Sequence, residues 1–171
     1  MTARYYPWVK LLPTPVVLNM ATLGPMGHLG KAPGTTGTVL GLLGYTVFFH
    51  GLGPIGFVLL LALWIYVAVA ICDEAEVRMA RRDPGCIILD EFVAVPLCFI
   101  GLQPAMLQMP PWILALAAFA LFRVFDIIKP FGIRRLQNWP GGVGVVADDL
   151  AAALATALVL NIGVMIWMAV G

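Results

Sequence analysis

The chain has 171 residues, of which 61% are hydrophobic and 11% are charged. Soluble domains typically carry about 45–50% apolar and about 25% charged residues, so this composition excludes an ordinary soluble domain. A net charge of +1 also excludes a nucleic-acid binder that works by bulk counterion release. We therefore predict an all-α, multi-pass membrane protein that forms a single domain over residues 1–171.

The N-terminal segment is predicted to belong to the mature chain. Arg4 and Lys10 precede an apolar stretch, as in a signal peptide. However, Pro13, Pro15 and Pro25 interrupt that stretch, and no small-residue cleavage site follows it.

Long stretches without charge predict a transmembrane helical bundle of about five spans. The predicted spans are 38–50, 52–72, 92–109, 112–128 and 150–170. Spanning the hydrocarbon core takes about 20 apolar residues, which 52–72 and 150–170 supply. The span 38–50 is short, and 92–109 contains Pro96, where we expect a kink or a break.

The basic residues predict the orientation of these spans. Apart from Arg123, they lie before the first span and in the segments 73–91 and 126–147, whereas the turns 50–54 and 103–111 carry no charge. Basic loops stay in the cytoplasm, so five spans place all three charged segments there. A four-span arrangement with 38–50 re-entrant would separate the first charged segment from the other two, and we favour five.

Two segments lead into spans through a pair of carboxylates, Asp90-Glu91 and Asp148-Asp149. Acids at a helix start favour the positive end of the helix dipole, so one interpretation is that both pairs stabilise helix N-termini. Capping requires only one acid per helix. Four acids on two helices at equal depth favour a site for a hard divalent cation such as Mg²⁺.

A second constellation comprises Arg123, Asp126 and Lys129, which precede Pro130. Their spacing places Arg123 and Asp126 on one helix face, with Lys129 at its edge. One interpretation is an Arg123–Asp126 ion pair that anchors the helix end. The other is a phosphate-binding Arg and Lys beside a metal-binding Asp, because Arg binds phosphate bidentately.

The segment 31–38 precedes the first span and supplies hydroxyl groups and flexible backbone. It is not a Walker loop, because Ala32 follows Lys31 where that loop has Ser or Thr. It is either a plain turn before a helix or an anion-binding helix N-terminus that includes Thr35 and Thr38.

Other phosphatase chemistries fit this sequence poorly. Cys72 and Arg78 have the spacing of a cysteine-phosphatase loop, but three acids and no glycine lie between them. His28 and His50 fall on opposite sides of the first predicted span, so no histidine-based site assembles.

Four ordered segments resemble the phosphatidylglycerophosphatase A family of bacterial membrane lipid phosphatases. They are residues 31–38, 83–91, 122–130 and 141–149, and the resemblance extends over about residues 16–165. It implies Mg²⁺-dependent hydrolysis of phosphatidylglycerophosphate to phosphatidylglycerol at the bacterial inner membrane, with the site facing the cytoplasm. The implied partners are a phospholipid substrate and the bilayer, without nucleic acid.

The resemblance and the charge pattern together suggest roles for individual residues. The expected metal ligands are Asp90, Glu91, Asp126, Asp148 and Asp149. The expected substrate-binding residues are Lys31, Thr35, Thr38, Arg123, Lys129 and Arg134. The expected catalytic residues are Asp90, Asp126, Asp149, Arg123 and Lys129. Either an activated water or one Asp would attack phosphorus.

Two alternatives stay open at the level of the sequence. A non-enzymatic transporter or anionic-lipid-binding protein would explain the spans and the basic loops, although it leaves the paired acids unexplained. A metal-dependent phosphatase that acts on another lipid phosphate would explain both. Homo-oligomerisation is left open.

Overall fold

The structure, a computed structural model, describes residues 6–102 and 108–170, apart from the side chain of Phe131. Over these ranges every regular element is helical, which confirms the all-α prediction. In chain order the α-helices are α1 (Pro7–Lys10), α2 (Thr14–Ala21), α3 (Pro33–Gly44), α4 (Pro54–Arg78), α5 (Leu89–Ala94), α6 (Pro111–Ile128) and α7 (Gly142–Val170). The 3₁₀ helices are Gly24–His28, Val95–Phe99 and Pro130–Asn138, and the π-helical segment Tyr45–Phe49 continues α3.

Three of these helices, α4, α6 and α7, are long and apolar enough to cross a membrane. They correspond to the predicted spans 52–72, 112–128 and 150–170, although α4 begins only at Pro54. Two of these helices are longer than predicted. Helix α4 continues past residue 72 to Arg78, and helix α7 begins at Gly142 and not at residue 150. Asp148 and Asp149 therefore lie on a helix and not in the loop before it.

The other two predicted spans have shorter helices. The span 38–50 corresponds to α3 and its π-helical continuation. The span 92–109 begins in α5, which gives way to the 3₁₀ helix at Val95, so the expected interruption at Pro96 is present. The middle of that span, 103–107, lies outside the described residues.

Glycines allow α3 to pack closely on α5. A Cβ at Gly41 would come within 2.7 Å of Cβ of Val95, and one at Gly37 within 3.1 Å of Cβ of Ile88. Because larger residues would push the two segments apart, these glycines let α3 lie against α5 and the residues that flank it. Helix α7 packs against α4, α5 and α6, so it lies at the centre of the bundle.

The outer surface of the bundle is apolar. Exposed side chains include Ile55 on α4, Leu116 on α6 and Leu158 on α7, each more than half accessible. Large apolar side chains on the outside of a helical bundle are typical of a surface that faces lipid. The fold and the composition thus agree on a membrane protein.

Candidate active site

Five acidic side chains from three helices meet at one end of the bundle. Asp90 and Glu91 lie in the first turn of α5. Asp148 and Asp149 lie beyond the first turn of α7, which has no acidic residue. Asp126 lies near the C-terminal end of α6. The helix-capping interpretation is therefore wrong for the α7 pair.

The carboxylates form two overlapping groups. Asp90, Glu91 and Asp149 offer oxygens that all lie within 4.8 Å of one another, and so do Asp126, Asp148 and Asp149. Asp149 belongs to both groups. Asp90, Asp148 and Asp149 are each at least nine-tenths buried. Burying charges of one sign together is costly without a compensating cation.

The first group has oxygen atoms with no hydrogen-bond partner. Asp90 Oδ1 and Glu91 Oε2 are buried and accept no hydrogen bond from the described residues. Buried polar atoms in native proteins are nearly always paired, so these two oxygens call for a ligand. Closely spaced carboxylate oxygens are the donor set that suits Mg²⁺, and the residues present therefore fit this ion.

Two basic side chains border the carboxylates. Arg123 Nη1 donates a hydrogen bond to Asp126 Oδ2 at 2.7 Å and lies 4.0 Å from Glu91 Oε1. Lys129 Nζ donates to Asp148 Oδ2 and lies 3.7 Å from Asp126 Oδ1. The Arg123–Asp126 ion pair, which was one of the two interpretations of the sequence, is present. Both cations are less than one-fifth exposed, so their charges are poorly screened by water.

Burial and neighbouring charges shift the ionisation of these groups. Burial, together with the charges of Glu91 and Asp149, holds the pKa of Asp90 well above its ordinary value. Burial likewise raises the pKa of Glu91. Burial lowers the pKa of Lys129, but the hydrogen bond to Asp148 and the nearby carboxylates outweigh it, so the net shift is upward. Lys129 is therefore a cation at neutral pH.

The other predicted substrate-binding residues form no hydrogen bond or ion pair with the carboxylates among the described residues. Thr38 is fully buried, and its hydroxyl donates to the carbonyl of Gly34 within α3. Thr35 is half-buried in the first turn of α3. Lys31 and Arg134 are exposed, and neither forms an ion pair within the described residues.

Sequence reasoning missed the part that two glycines play in the site. A Cβ at Gly34 would lie 2.5 Å from Glu91 Oε1 and 2.9 Å from Arg123 Nη1. A Cβ at Gly37 would lie 3.1 Å from Glu91 Oε2. The signal was the recurrence of glycine along α3, at positions 34, 37, 41 and 44, which leaves one helix face without side chains.

The cysteine-phosphatase spacing has no structural counterpart. Cys72 and Arg78 both lie within α4, so no loop connects them. Cys72 is fully buried, and Arg78 is held by Glu74 and by the carbonyl of Leu12.

Fold and site together define a helical membrane protein whose polar centre combines a metal-type set of carboxylates with phosphate-type cations. The family profile described as phosphatidylglycerophosphatase A matches residues 19–164. The chain therefore belongs to the phosphatidylglycerophosphatase A family, and it is a phosphatase. No solved structure matches it.

Individual relatives agree with this assignment. Phosphatidylglycerophosphatase A of Haemophilus influenzae is 37% identical over 146 residues, which cover 83% of this chain and 84% of the relative. The Escherichia coli protein of the same name is 32% identical over 105 residues, 60% of this chain and 57% of the relative. A putative phosphatidylinositol-3-phosphatase of Bacteroides thetaiotaomicron is 31% identical over 137 residues, 77% of this chain and 82% of the relative.

Proposed function

We propose that the chain is an Mg²⁺-dependent phosphatase that converts phosphatidylglycerophosphate to phosphatidylglycerol and inorganic phosphate in phospholipid biosynthesis. The observation that carries this proposal is the meeting of unpartnered carboxylate oxygens with Arg123 and Lys129 at one end of the membrane helices. Two relatives carry the name of this activity. A lipid phosphomonoester would lie at the same depth as these charges.

In this proposal the acidic residues would bind the ion and the basic residues would bind the phosphate. Asp90, Glu91 and Asp149, with Asp126 and Asp148 beside them, would hold Mg²⁺. Bound there, the ion would supply Lewis-acid stabilisation of charge on the phosphate oxygens. Arg123 and Lys129 would bind those oxygens through charge-assisted hydrogen bonds and neutralise charge that builds up during transfer.

We also propose five crossings, and the chain path between α5 and α6 supports this. The amide of Asn161 on α7 donates to the carbonyl of Ile100 at 2.9 Å. Asn161 lies about 18 Å along α7 from Asp149, at ~1.5 Å per residue. Because Glu91 lies beside Asp149 and Ile100 lies beside Asn161, the chain between Glu91 and Ile100 runs alongside α7 from the site towards the opposite side of the membrane. The third crossing in chain order would be the predicted span 92–109, of which 103–107 lie outside the described residues.

The first crossing would be α3 with its continuation. These 12-residue and five-residue segments rise about 25 Å together, slightly less than the ~30 Å hydrocarbon core. Modest thinning of the bilayer would accommodate the difference. In this arrangement the site and the basic segments face the cytoplasm, by the positive-inside rule.

The test is phosphate release from phosphatidylglycerophosphate by detergent-purified protein, with Mg²⁺ and with a chelator. We expect release that requires Mg²⁺ and is lost in Asp90→Asn. The control is Glu76→Gln, because Gln keeps the carbonyl oxygen that accepts from the amide of Asp83. No release from folded wild-type protein would contradict the proposed substrate.

A second candidate is a phosphatase for another lipid phosphate, favoured by the printed name of the Bacteroides relative. Phosphatidylinositol 3-phosphate and phosphatidic acid assayed in the same detergent would separate the two. A higher kcat/KM on either than on phosphatidylglycerophosphate would favour the second candidate.

A further inference from the structure

The two carboxylate groups differ in what already neutralises them. Asp126 and Asp148 each accept a hydrogen bond from a basic side chain, Arg123 and Lys129 respectively. In the other group, Arg123 Nη1 lies 4.0 Å from Glu91 Oε1 but donates its hydrogen bond to Asp126, and Asp90 Oδ1 and Glu91 Oε2 are buried without a partner. Only the Asp90–Glu91–Asp149 group thus calls for a further cation.

The ammonium of Lys129 takes the position that an ion in the second group would need. Its Nζ donates to Asp148 and lies 3.7 Å from Asp126 Oδ1. Those two carboxylates and Asp149 are the only members of that group among the described residues. A divalent ion bound there would meet the Lys129 charge at contact distance, which is strongly unfavourable at a buried site.

The backbone holds Lys129 at this place. Helix α6 ends at Ile128, and Lys129 adopts a left-handed conformation, with φ of +49°, directly before Pro130. Non-glycine residues adopt this conformation at a cost, and it persists where the surroundings enforce it. Lys129 thus belongs to a constrained turn that joins α6 to the 3₁₀ helix Pro130–Asn138, and the ion pairs with Asp148 and Asp126 hold its ammonium in place.

We propose that the site holds one divalent cation, on Asp90, Glu91 and Asp149, and that Lys129 replaces a second ion. In this arrangement Asp126 and Asp148 are positioning residues, which hold Arg123 and Lys129 for the substrate phosphate. The inference rests on the proposed metal dependence and refines the set of five metal ligands expected from the sequence.

The first test counts bound Mn²⁺, used as a spectroscopic probe, on full-length protein in detergent without lipid substrate. We expect one tight Mn²⁺ per wild-type chain. Asp90→Asn should weaken it by more than roughly 100-fold, because loss of a group that merely supports a metal ligand already costs about 10–100-fold and Asp90 is a direct ligand in this proposal. Asp148→Asn should leave it within a few-fold, while thermal unfolding shows that both variants fold.

The second test removes the competing ammonium. Lys129→Met vacates the second group, so we expect a second, weaker Mn²⁺ to bind. Lys129→Arg keeps a cation there, so the count should stay at one. A count that stays at one in Lys129→Met, in a protein that melts like wild type, would contradict the replacement.

The positioning role has a kinetic signature. Asp126→Asn and Asp148→Asn should raise the KM for lipid substrate and weaken inhibition by inorganic phosphate, while Mn²⁺ affinity stays unchanged. Loss of Mn²⁺ in Asp148→Asn to the extent seen in Asp90→Asn would overturn the division of roles. Two wild-type Mn²⁺ with intact phosphatase activity would overturn this inference alone, whereas no Mn²⁺ binding would overturn the metal proposal as well.

Discussion

Gly34 and Arg123 lie so close that a Cβ on the glycine would come within 2.9 Å of the guanidinium nitrogen Nη1. The same Cβ would lie 2.5 Å from Glu91 Oε1. Gly34, in the first turn of α3, thus lies against Glu91 at the start of α5 and against Arg123 in the C-terminal part of α6. The absence of a side chain at position 34 sets the distance between a carboxylate and a cation of the site.

Gly34→Ala should reduce activity more than stability, because the three atoms nearest to the added methyl group are all at the flexible tips of the Glu91 and Arg123 side chains. A displacement of about 1 Å at a catalytic site can cost roughly 10²-fold. We expect a loss of that order in phosphate release, with a melting temperature close to wild type. Gly51→Ala, where nothing lies within 4 Å of the added Cβ, should keep full activity.

Arg123→Lys should not preserve activity, although it preserves charge. The planar guanidinium faces Asp126 at 2.7 Å and Glu91 at 4.0 Å, and a lysine cannot reproduce its fork of donors. We expect phosphate release to fall by roughly 10²-fold, as for loss of one donor to developing charge. Arg135→Lys changes an exposed residue of the same type and should be near neutral. Equal effects of the two substitutions would contradict a special role for Arg123.

Without divalent cations, stability should fall as the pH rises. Burial and the charges of Glu91 and Asp149 raise the pKa of Asp90, so the folded protein retains a proton that the unfolded chain releases. This contribution to stability is complete below the ordinary carboxyl pKa, and it is lost as the pH rises through the raised pKa. Thermal unfolding with a chelator, from acidic to mildly alkaline pH, measures the slope.

Asp90→Asn removes the titrating group and should flatten that slope. Added Mg²⁺ should stabilise wild type most at the alkaline end, because the ion binds deprotonated carboxylates. Stability that rises with pH in the chelator, with a slope unaltered by Asp90→Asn, would show that Asp90 is ionised in the absence of metal.

Gly142→Ala should destabilise the fold itself. A Cβ at this position would lie 2.0 Å from the carbonyl oxygen of Val69 and 2.6 Å from the amide nitrogen of Asp73, both backbone atoms of α4. Helix α7 would have to move away from α4, and overpacking of this kind costs typically about 1–3 kcal/mol. Gly163→Ala on the same helix, with nothing within 4 Å, is the matched control and should melt at or above the wild-type temperature.

The five-crossing arrangement makes a prediction about accessibility. With the native cysteines replaced, Gly51→Cys should react with a membrane-impermeant maleimide added outside spheroplasts, and Arg82→Cys only after the membrane is opened. Gly51 lies in the turn between the continued α3 and α4, and Arg82 follows the opposite end of α4. Labelling of both residues from outside would contradict a single cytoplasmic face for the basic segments.

The sequence by itself predicted the all-helical class of fold and most of the charged residues that the structure brings together at the candidate site. Apolar runs of about 20 residues without charge have few options other than helices in lipid, because each unpaired backbone group there is costly. Charges that cannot enter those runs collect at their ends. For this reason the charge pattern singled out candidate residues, and the family resemblance added their expected roles: Asp90, Glu91, Arg123, Lys129, Asp148 and Asp149.

Only the tertiary structure decided how these residues are grouped. Spacing along the chain does not reveal that α3 packs its glycine face on α5, which brings Gly34 to Glu91 and Arg123. Nor does it show that Asp149 is shared by both carboxylate groups while Lys129 pairs with Asp148. These relationships depend on contacts between helices that are distant in sequence. Close packing of side chains decides which contacts form, and the local sequence pattern does not encode that packing.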